Sequence, residues 1–427
     1  IKGYCGGLED PLREGSTDLP LHEIVVLTVC AVICGADGFT SIANFGKAKK
    51  DWLGQFLNLE NGIPSHDTIG RFYRHLDPEG FEKCFLRWMQ SACRQVEEEV
   101  VAIDGKELCG SYDRHSNTAA LHMVSAWASE NRLSLGQVRT EEKSNEITAI
   151  PRLLEALDVS GCVVTIDAMG CQTDIAETII EEGADYVLAL KDNQKGLRAS
   201  VEAIFDRLVE SDHEAHSPHK HVTGGHDRVE TRRCWTVDVD EKGLVDQTGW
   251  VKLKSICLVE YEKFEDGERS VERRYFISSL EPNPEKLLEA TRRHWHIENR
   301  MHWVLDVAFR EDDSRIRMGN AAQNMSAVRR LALGLLEQEE SLSVGTKNKR
   351  LRAGWDQDYL EKMLRQIGGD CPGRFPQCWR KSLRTGRSES PVARWPTSNG
   401  FSAGHARSWP DRSTGREWLP SQSERST

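Results

Sequence analysis

The sequence contains no Cys-x-x-Cys pair. Its 12 cysteines are scattered, and the nearest two, Cys30 and Cys34, have three residues between them. This spacing excludes a zinc ribbon and a disulfide framework, and it indicates the reduced thiols of a cytoplasmic protein. The sequence also lacks a long apolar run. The longest, Ile24–Cys34, is shorter than the roughly 20 residues that a helix needs to cross a bilayer, so no membrane segment is predicted.

An excess of positive charge is missing as well. The 56 Lys and Arg residues are outnumbered by 67 Asp and Glu residues, which gives a formal net charge of −11. This balance excludes a protein that coats DNA by bulk electrostatics, but it allows one that grips DNA through local basic patches. The chain begins at Ile1 without a methionine, and we interpret it as a fragment or a mid-frame translation.

The first 95 residues have the apolar spacing of helices and form a predicted helical N-terminal domain. Leu19–Ile33 predicts an apolar helix and Phe39–Leu59 an amphipathic one. A short basic helix is predicted between the start signal after Pro64 and the stop signal at Asp77. Two helices, a turn and a short basic helix fit a helix-turn-helix DNA reader, but they fit a helical packing module equally well.

From residue 96 the pattern changes to near-continuous apolar strands that alternate with helices. Such strands are typical of parallel sheets covered on both faces. The predicted strands are Val100–Asp104, Leu121–Ala128, Leu133–Thr140, Cys162–Asp167 and Asp185–Lys191, and the predicted helices are Asn145–Leu157 and Thr173–Glu182. This order predicts an α/β fold with a ribonuclease-H-like mixed sheet as its core, spanning residues 96–365.

A β-rich insertion is predicted at about residues 211–280. Its strands are Cys234–Val239, Ile256–Tyr261 and Tyr275–Ser279. The His-rich stretch Ser211–Gly225 has no Cys or carboxylate at ligand spacing, so we interpret it as a solvated loop rather than a metal site.

Two of the predicted parallel strands end in an aspartate. As neighbours, they would place Asp104 and Asp167 side by side at the carboxyl edge, where open α/β sheets bind ligands. Gly105 is expected to let the chain turn tightly there. Two adjacent carboxylates repel unless one is protonated or a divalent cation neutralises both. Aspartates are also common turn formers, so either one alone is weak evidence.

A long helix followed by a turn is predicted over Thr291–Arg317. His294, Glu298 and His302 share one face of it at i and i+4 spacing. The pattern fits a packed helix with a solvated edge, a zinc-binding face, or a third carboxylate, Glu298, that joins the two aspartates at a Mg²⁺ site. A second amphipathic helix is predicted over Asn320–Leu336, and the last ordered segment over Lys347–Leu364.

Five strings are spaced along the chain: IDGK (Ile103–Lys106), TIDAMGCQ (Thr165–Gln172), ADYVLALK (Ala184–Lys191), HWHIENRMHWVLDVAF (His294–Phe309) and KRLRAGW (Lys349–Trp355). Together they resemble bacterial insertion-sequence transposases of the DDE superfamily, the H-repeat-associated type. The resemblance implies Asp104, Asp167 and Glu298 as the catalytic, metal-binding DDE triad. Related transposases carry a Tyr-Arg-Glu-Lys signature, whose places hold Thr291, His294, Glu298 and Leu305 here, so only the glutamate is carried over.

The resemblance implies DNA cleavage and strand transfer at the ends of an insertion sequence, with Mg²⁺ as cofactor and Mn²⁺ as its substitute. The expected partners are terminal inverted repeats, target DNA and further copies of the chain in the DNA complex, in the bacterial nucleoid. Candidate phosphate contacts are Lys191, Arg228, Arg232, Arg292 and Arg293. The alternatives are a ribonuclease-H-like nuclease without strand transfer, and a decayed copy that only binds DNA.

Residues 366–427 have little material for a core. Ile367, Leu383, Val392 and Leu419 are their only branched aliphatic residues, against ten Arg or Lys. Such a composition cannot bury enough apolar area to offset the entropy of ordering. We interpret this segment as a disordered or frameshifted tail.

Deleting residues 366–427 is therefore expected to leave the thermal unfolding midpoint of the remaining chain unchanged. Scanning calorimetry of the full-length and truncated chains measures it. A fall of several degrees on truncation would show that the tail contributes to the folded core.

Overall fold

The structure is a computed structural model that describes residues 7–12, 20–59, 61–92, 96, 98–112, 120–140, 146–210, 218–225, 228–242 and 249–365. All of them belong to one compact unit within residues 1–384. The predicted tail and residues 211–217 of the His-rich stretch lie outside the described residues. No helix in the described ranges combines the length and apolarity needed to cross a membrane.

The N-terminal part is helical, as predicted. Its helices are α1 (Leu21–Ile33), α2 (Phe39–Ala48), α3 (Lys50–Leu53), α4 (His66–His75) and α5 (Pro78–Ala92). The single helix predicted over Phe39–Leu59 is wrong, because the chain breaks at Lys49 and leaves the helical conformation after Leu53. Helix α1 is buried almost all round, which its continuous apolar sequence requires.

Helix α4, the short basic helix, is anchored in the core. Ser65 caps its start, since the Ser65 hydroxyl accepts a hydrogen bond from the Thr68 N–H at 3.1 Å. The helix buries Ile69, Phe72 and Tyr73. This anchoring suits the packing-module interpretation. DNA reading by the exposed residues of this helix stays a hypothesis.

One nine-stranded sheet forms the centre of the molecule. Its strands are β1 (Val100–Leu108), β2 (Leu121–Ala128), β3 (Leu133–Arg139), β4 (Val163–Ile166), β5 (Asp185–Leu190), β6 (His219–Gly225), β7 (Arg228–Asp238), β8 (Ser255–Glu265) and β9 (Glu268–Ser278). The spatial order is β3-β2-β1-β4-β5-β9-β8-β7-β6. The β1–β4 and β4–β5 pairs are parallel and the others antiparallel. The predicted ribonuclease-H-like core is confirmed in β1 to β5.

The insertion is β-rich, but it continues the central sheet, because β9 pairs with β5. It also contains a strand that sequence reasoning missed. The prediction of a solvated loop is wrong for His219–Gly225, which forms β6 and pairs with β7. This edge strand has one apolar side chain, Val222, which is 53% exposed, so no apolar alternation marks it.

Strand β1 is longer than predicted. It continues through Gly105 to Leu108, and Gly105 pairs with Val124 of β2. The tight turn predicted at Gly105 is therefore wrong, and another reason is needed for a glycine there.

Helices cover both faces of the parallel strands. Helices α6 (Glu146–Ala156), α7 (Thr173–Glu181) and α10 (Pro284–His294) provide this cover, whereas α8 (Lys195–Glu210) contacts β9 and a short α9 (Val239–Lys242) contacts β7. Leu287 and Leu288 of α10 pack on the sheet face that contains Val100 and Val163.

The helix predicted within Thr291–Arg317 begins earlier than predicted and contains a π-helical segment, whereas the turn predicted after it is found at residues 311–313. Helix α10 begins at Pro284. The side chain of the preceding residue, Asn283, accepts hydrogen bonds from the N–H groups of Glu285 and Lys286. A π-helical segment, Ile297–His302, and then α11 (Trp303–Phe309) follow, and Arg310 ends α11 in the left-handed conformation. The chain continues into α12 (Ala321–Gln338), α13 (Thr346–Trp355) and α14 (Gln357–Arg365), so the segment predicted over Lys347–Leu364 is two helices.

A buried ion cluster ties β1 to the last helices. Lys106 pairs with Asp306 of α11, and its Nζ lies 3.8 Å from Oε2 of Glu311. Glu311 in turn accepts a hydrogen bond from Arg330 of α12 at 3.2 Å, and both side chains are fully buried. Burial raises the pKa of Glu311, but the charges of Arg330 and Lys106 hold it below its usual range. The cluster fixes β1 relative to the helix that follows Glu298.

A second carboxylate lies between α5 and the sheet. Glu82 Oε1 accepts a hydrogen bond from the backbone N–H of Gln137 in β3 at 3.0 Å. Burial raises the pKa of Glu82 from 4.5 to about 7, although this N–H and Arg330 lower it.

Because the folded-state pKa is the higher one, Glu82 contributes most to stability below pH 4.5, and this contribution is lost as the pH rises through about 7. Glu82→Gln keeps the acceptor and removes the charge. At pH 8 we expect the variant to be more stable than the wild type by about 1–3 kcal/mol, and near pH 4.5 the difference should vanish. Urea unfolding across this range measures it.

The matched control is Glu79→Gln, an exposed change on the same helix, which should leave the pH profile of stability unaltered. A Glu82→Gln variant less stable than the wild type at pH 8 would contradict the assignment.

Candidate active site

Asp104 and Asp167 lie at the same edge of the sheet. Ile103 and Ile166 are partners in the parallel β1–β4 ladder, so the two aspartates follow at adjacent positions on strands about 4.8 Å apart. Asp167 also caps the turn Ala168–Gly170, since its Oδ1 accepts a hydrogen bond from the Met169 N–H at 3.0 Å. The strand order thus brings together two residues that are far apart in sequence.

Two histidines flank Asp104. Nδ1 of His302 lies 3.4 Å from Oδ2 of Asp104, and the Gly105 N–H donates to Oδ1 at 2.9 Å. Burial raises the pKa of Asp104, but the hydrogen bond and charge of His302, together with His294, outweigh it and hold the pKa below its usual range. Asp104 is therefore the carboxylate that the surrounding residues keep ionised.

Asp167 and Glu298 show the opposite effect. Burial, followed by the charges of Asp104 and Glu146, raises the pKa of Asp167 to about 6. Loss of solvent and the charge of Asp104 likewise raise the pKa of Glu298, against the lowering effects of His302 and Arg274. Asp104 thus repels both other carboxylates of the predicted triad. Within the described residues, neither Asp167 nor Glu298 forms an ion pair with Lys or Arg.

The chemistry of this donor set fits Mg²⁺, which prefers oxygen ligands and keeps several waters. A cation would also relieve the repulsion among the three carboxylates. As they stand, no three His, Cys, Asp or Glu side chains of the described residues are arranged to hold a metal ion. The metal-binding triad Asp104, Asp167 and Glu298 therefore stays a prediction.

Glu298 lies in the π-helical segment. The N–H of Trp303 donates to the carbonyl of Glu298, five residues earlier, and this wider turn buries Ile297 and Met301 while Glu298 stays exposed. Single π-helical turns are frequent at functional sites. The sequence pattern does not reveal such a turn, since apolar spacing indicates only a helical face.

The zinc-face interpretation stays a hypothesis, and both of its histidines are held through Nδ1 by residues of the sheet. Nδ1 of His294 lies 3.1 Å from the hydroxyl of Thr165, and Nδ1 of His302 faces Asp104. Both imidazoles are thus oriented by residues of the sheet.

Two of the five predicted phosphate contacts are exposed at this edge. Lys191 follows the end of β5, and Arg292 lies in the last turn of α10. No ion pair of either is found within the described residues.

The other three predicted contacts are already paired with carboxylates. Arg228 and Arg232 both pair with Glu230, the latter at 2.8 Å. Arg293 pairs with Glu289 at 2.6 Å and with Glu130 at 3.0 Å. Their charges are largely neutralised within the protein.

Sequence reasoning missed a fourth carboxylate at this edge. Glu146 begins α6, and its Oε1 lies 2.8 Å from Nε2 of His122 in β2. The available signal was weak, since an acidic residue in the first turn of a helix is usually explained by the helix dipole.

Comparison with known proteins identifies the family. Residues 4–89 match the family model described as DDE_Tnp_1-associated, and residues 95–335 match the Transposase DDE domain. The H repeat-associated putative transposase YhhI of Escherichia coli (strain K12) is 41% identical over 355 residues, which are 82% of this chain and 93% of that protein. The putative transposase YncI of Escherichia coli O157:H7 is 41% identical over 364 residues, or 84% and 93% of the two chains.

A cryo-EM structure of a piggyBac transposase synaptic complex with hairpin DNA also aligns, with a TM-score of 0.39 and 9% identity over 86% of this chain and 76% of that one. The Transposase DDE domain alone covers more than half of the sequence, and the relatives match over most of it. The chain therefore belongs to the DDE transposase family, among the H-repeat-associated transposases.

Proposed function

We propose that this chain cleaves DNA at the ends of an insertion sequence and transfers the strands to a target, with Asp104, Asp167 and Glu298 as its catalytic triad. The observation that supports the proposal is the parallel pairing of β1 with β4, because Asp104 and Asp167 directly follow the last paired residues. In addition, Asp104 repels both Asp167 and Glu298. A carboxylate that repels two others at the carboxyl edge of a sheet is suited to divalent cations.

Asp104, Asp167 and Glu298 would hold Mg²⁺, and Mn²⁺ would substitute. When bound, the ions supply activation of the attacking hydroxyl and stabilisation of the leaving oxygen. His302 keeps Asp104 ionised and oriented through its Nδ1 contact. The exposed Glu298 and Lys191 border the side from which a phosphodiester can approach.

Asp306 is a weaker choice than Glu298 for the third ligand. It is paired with Lys106 and lies near Asp312 and Glu311 in the ion cluster. A carboxylate already neutralised by a lysine has little charge left for a metal ion.

The partners belong to the same proposal: terminal inverted repeats, target DNA and further copies of the chain in the DNA complex, within the bacterial nucleoid. The two alternatives give different products. A nuclease on this fold would cleave the ends without joining them, and a decayed copy would bind the ends without metal-dependent cleavage. An assay that follows both cleavage and strand transfer of labelled end DNA distinguishes all three.

Glu298→Gln keeps the size of the side chain but removes its charge. We expect it to reduce cleavage of end DNA by more than about 100-fold, because loss of a residue that only supports a metal ligand already costs about 10- to 100-fold. Binding of end DNA should stay nearly intact. Gel assays of cleavage and binding in Mg²⁺ measure both.

Asp306→Asn is the matched control. It should destabilise the ion cluster by about 1–3 kcal/mol but leave cleavage within about tenfold of the wild type when measured below its unfolding temperature. If Asp306→Asn abolishes cleavage and Glu298→Gln spares it, the third ligand is wrongly assigned.

The exposed residues Lys191 and Arg292 are expected to contact DNA phosphates. Lys191→Ala and Arg292→Ala should each weaken binding of end DNA and lower the slope of log affinity against log salt by about one. Arg293→Ala should change both much less, because its guanidinium already pairs with Glu289 and Glu130. Fluorescence anisotropy over a series of salt concentrations measures this, and a larger effect of Arg293→Ala would reverse the assignment.

A further inference from the structure

Helix α6 places its first turn beside Asp167. The turn Ala168–Gly170, which Asp167 caps, contacts α6. A Cβ added at Gly170 would lie 3.1 Å from Cδ1 of Ile150, one helical turn after Glu146. The start of α6 therefore lies at the carboxyl edge of β4, on the sheet face opposite α10.

The residue after Asp104 shows how close Glu146 comes to β1. A Cβ added at Gly105 would overlap the carboxylate of Glu146 and would lie 2.6 Å from Nε2 of His122. Gly105 has no positive φ, so the backbone conformation does not require glycine. The space does, because the side chains of Glu146 and His122 occupy the position that a Cβ would take.

The carboxylate of Glu146 is buried, and its ion-pair partner among the described residues is a histidine. Its side chain is 9% exposed, and its partner is His122 at 2.8 Å. No Lys or Arg of the described residues forms an ion pair with it. Its charge raises the pKa of Asp167, so the two carboxylates repel. Burying two like charges is unfavourable unless something opposes them.

One buried imidazole nitrogen at the same edge is unsatisfied among the described residues. Nε2 of His302 has no hydrogen-bond partner among the described residues, although the side chain is nine-tenths buried and its Nδ1 contacts Asp104. Buried polar atoms of this kind call for a ligand, an ion or water. Among the described residues, the edge thus has an unsatisfied buried imidazole nitrogen on one face of the sheet and, on the other, a buried carboxylate opposed by a histidine.

We propose that Glu146 is a fourth carboxylate of the catalytic edge and binds a divalent cation together with Asp167, directly or through a water molecule, with His122 as its positioning residue. The inference rests on the proposed function, because it adds a ligand to the metal site of that reaction. A purely structural role would instead have the His122–Glu146 pair hold α6 against β2, with no effect on the affinity for metal ions.

The test is Mn²⁺ binding to the full chain, by electron paramagnetic resonance of the free ion and by the rise in unfolding temperature that the ion produces. Glu146→Gln keeps the shape and the bond to His122 but removes the charge. It should weaken Mn²⁺ binding by about tenfold or more and diminish the Mn²⁺-induced rise. Gly105→Ala should also weaken Mn²⁺ binding, because the added Cβ displaces the Glu146 carboxylate. This variant replaces Glu146→Gln in the test if Glu146→Gln does not fold.

Glu155→Gln is the matched control, since Glu155 is exposed on the same helix, and it should bind Mn²⁺ like the wild type. Wild-type Mn²⁺ affinity in folded Glu146→Gln would overturn the inference. Asp104→Asn and Asp167→Asn separate this failure from that of the proposed function. If they lose Mn²⁺ while Glu146→Gln retains it, only the fourth ligand is wrong; if they also retain it, the proposed metal site itself is wrong.

Discussion

The parallel pairing of β1 with β4 is the constraint on which the site depends. Helices cover both faces of these strands, so residues from Val100 to Ile103 and from Val163 to Ile166 are buried and carry no charge. The first position at which each strand can carry a charge is the one that follows, and both positions hold aspartate. The location of the carboxylates is thus a consequence of how the sheet is buried.

The next residues of β1 fix the rest of the site. Asp104 faces His302, Gly105 leaves room for Glu146, and Lys106 enters the ion cluster with Asp306. Removing one member of a buried ion cluster leaves an uncompensated charge, which usually costs more than the pair contributes. The cluster therefore holds the helix that follows Glu298 in a fixed position relative to β1. Strand alternation directs successive side chains to opposite faces, so one short stretch organises elements on both sides.

Much of this architecture could be predicted from the sequence, and the failures have physical causes. The strands β1, β4 and β5 are buried on both faces, so their apolar runs were unmistakable. Edge strand β6 is held by backbone hydrogen bonds to β7, which leave no apolar pattern. The π-helical turn at Glu298 was hidden for a related reason: apolar spacing locates a helical face, but not the hydrogen-bond register beneath it.

The glycine after Asp104 shows the limit of sequence reasoning most clearly. A glycine after a strand-ending aspartate is ordinarily explained by a turn, yet Gly105 lies within β1 and has no positive φ. It is needed because α6 and β2 bring Glu146 and His122 into the volume of its missing Cβ. That requirement comes from two elements distant in sequence, and no local pattern contains it. Where local structure does not explain a glycine, the side chains that fill its space show which elements meet there, and here the carboxylate of Glu146 lies against β1 beside Asp104.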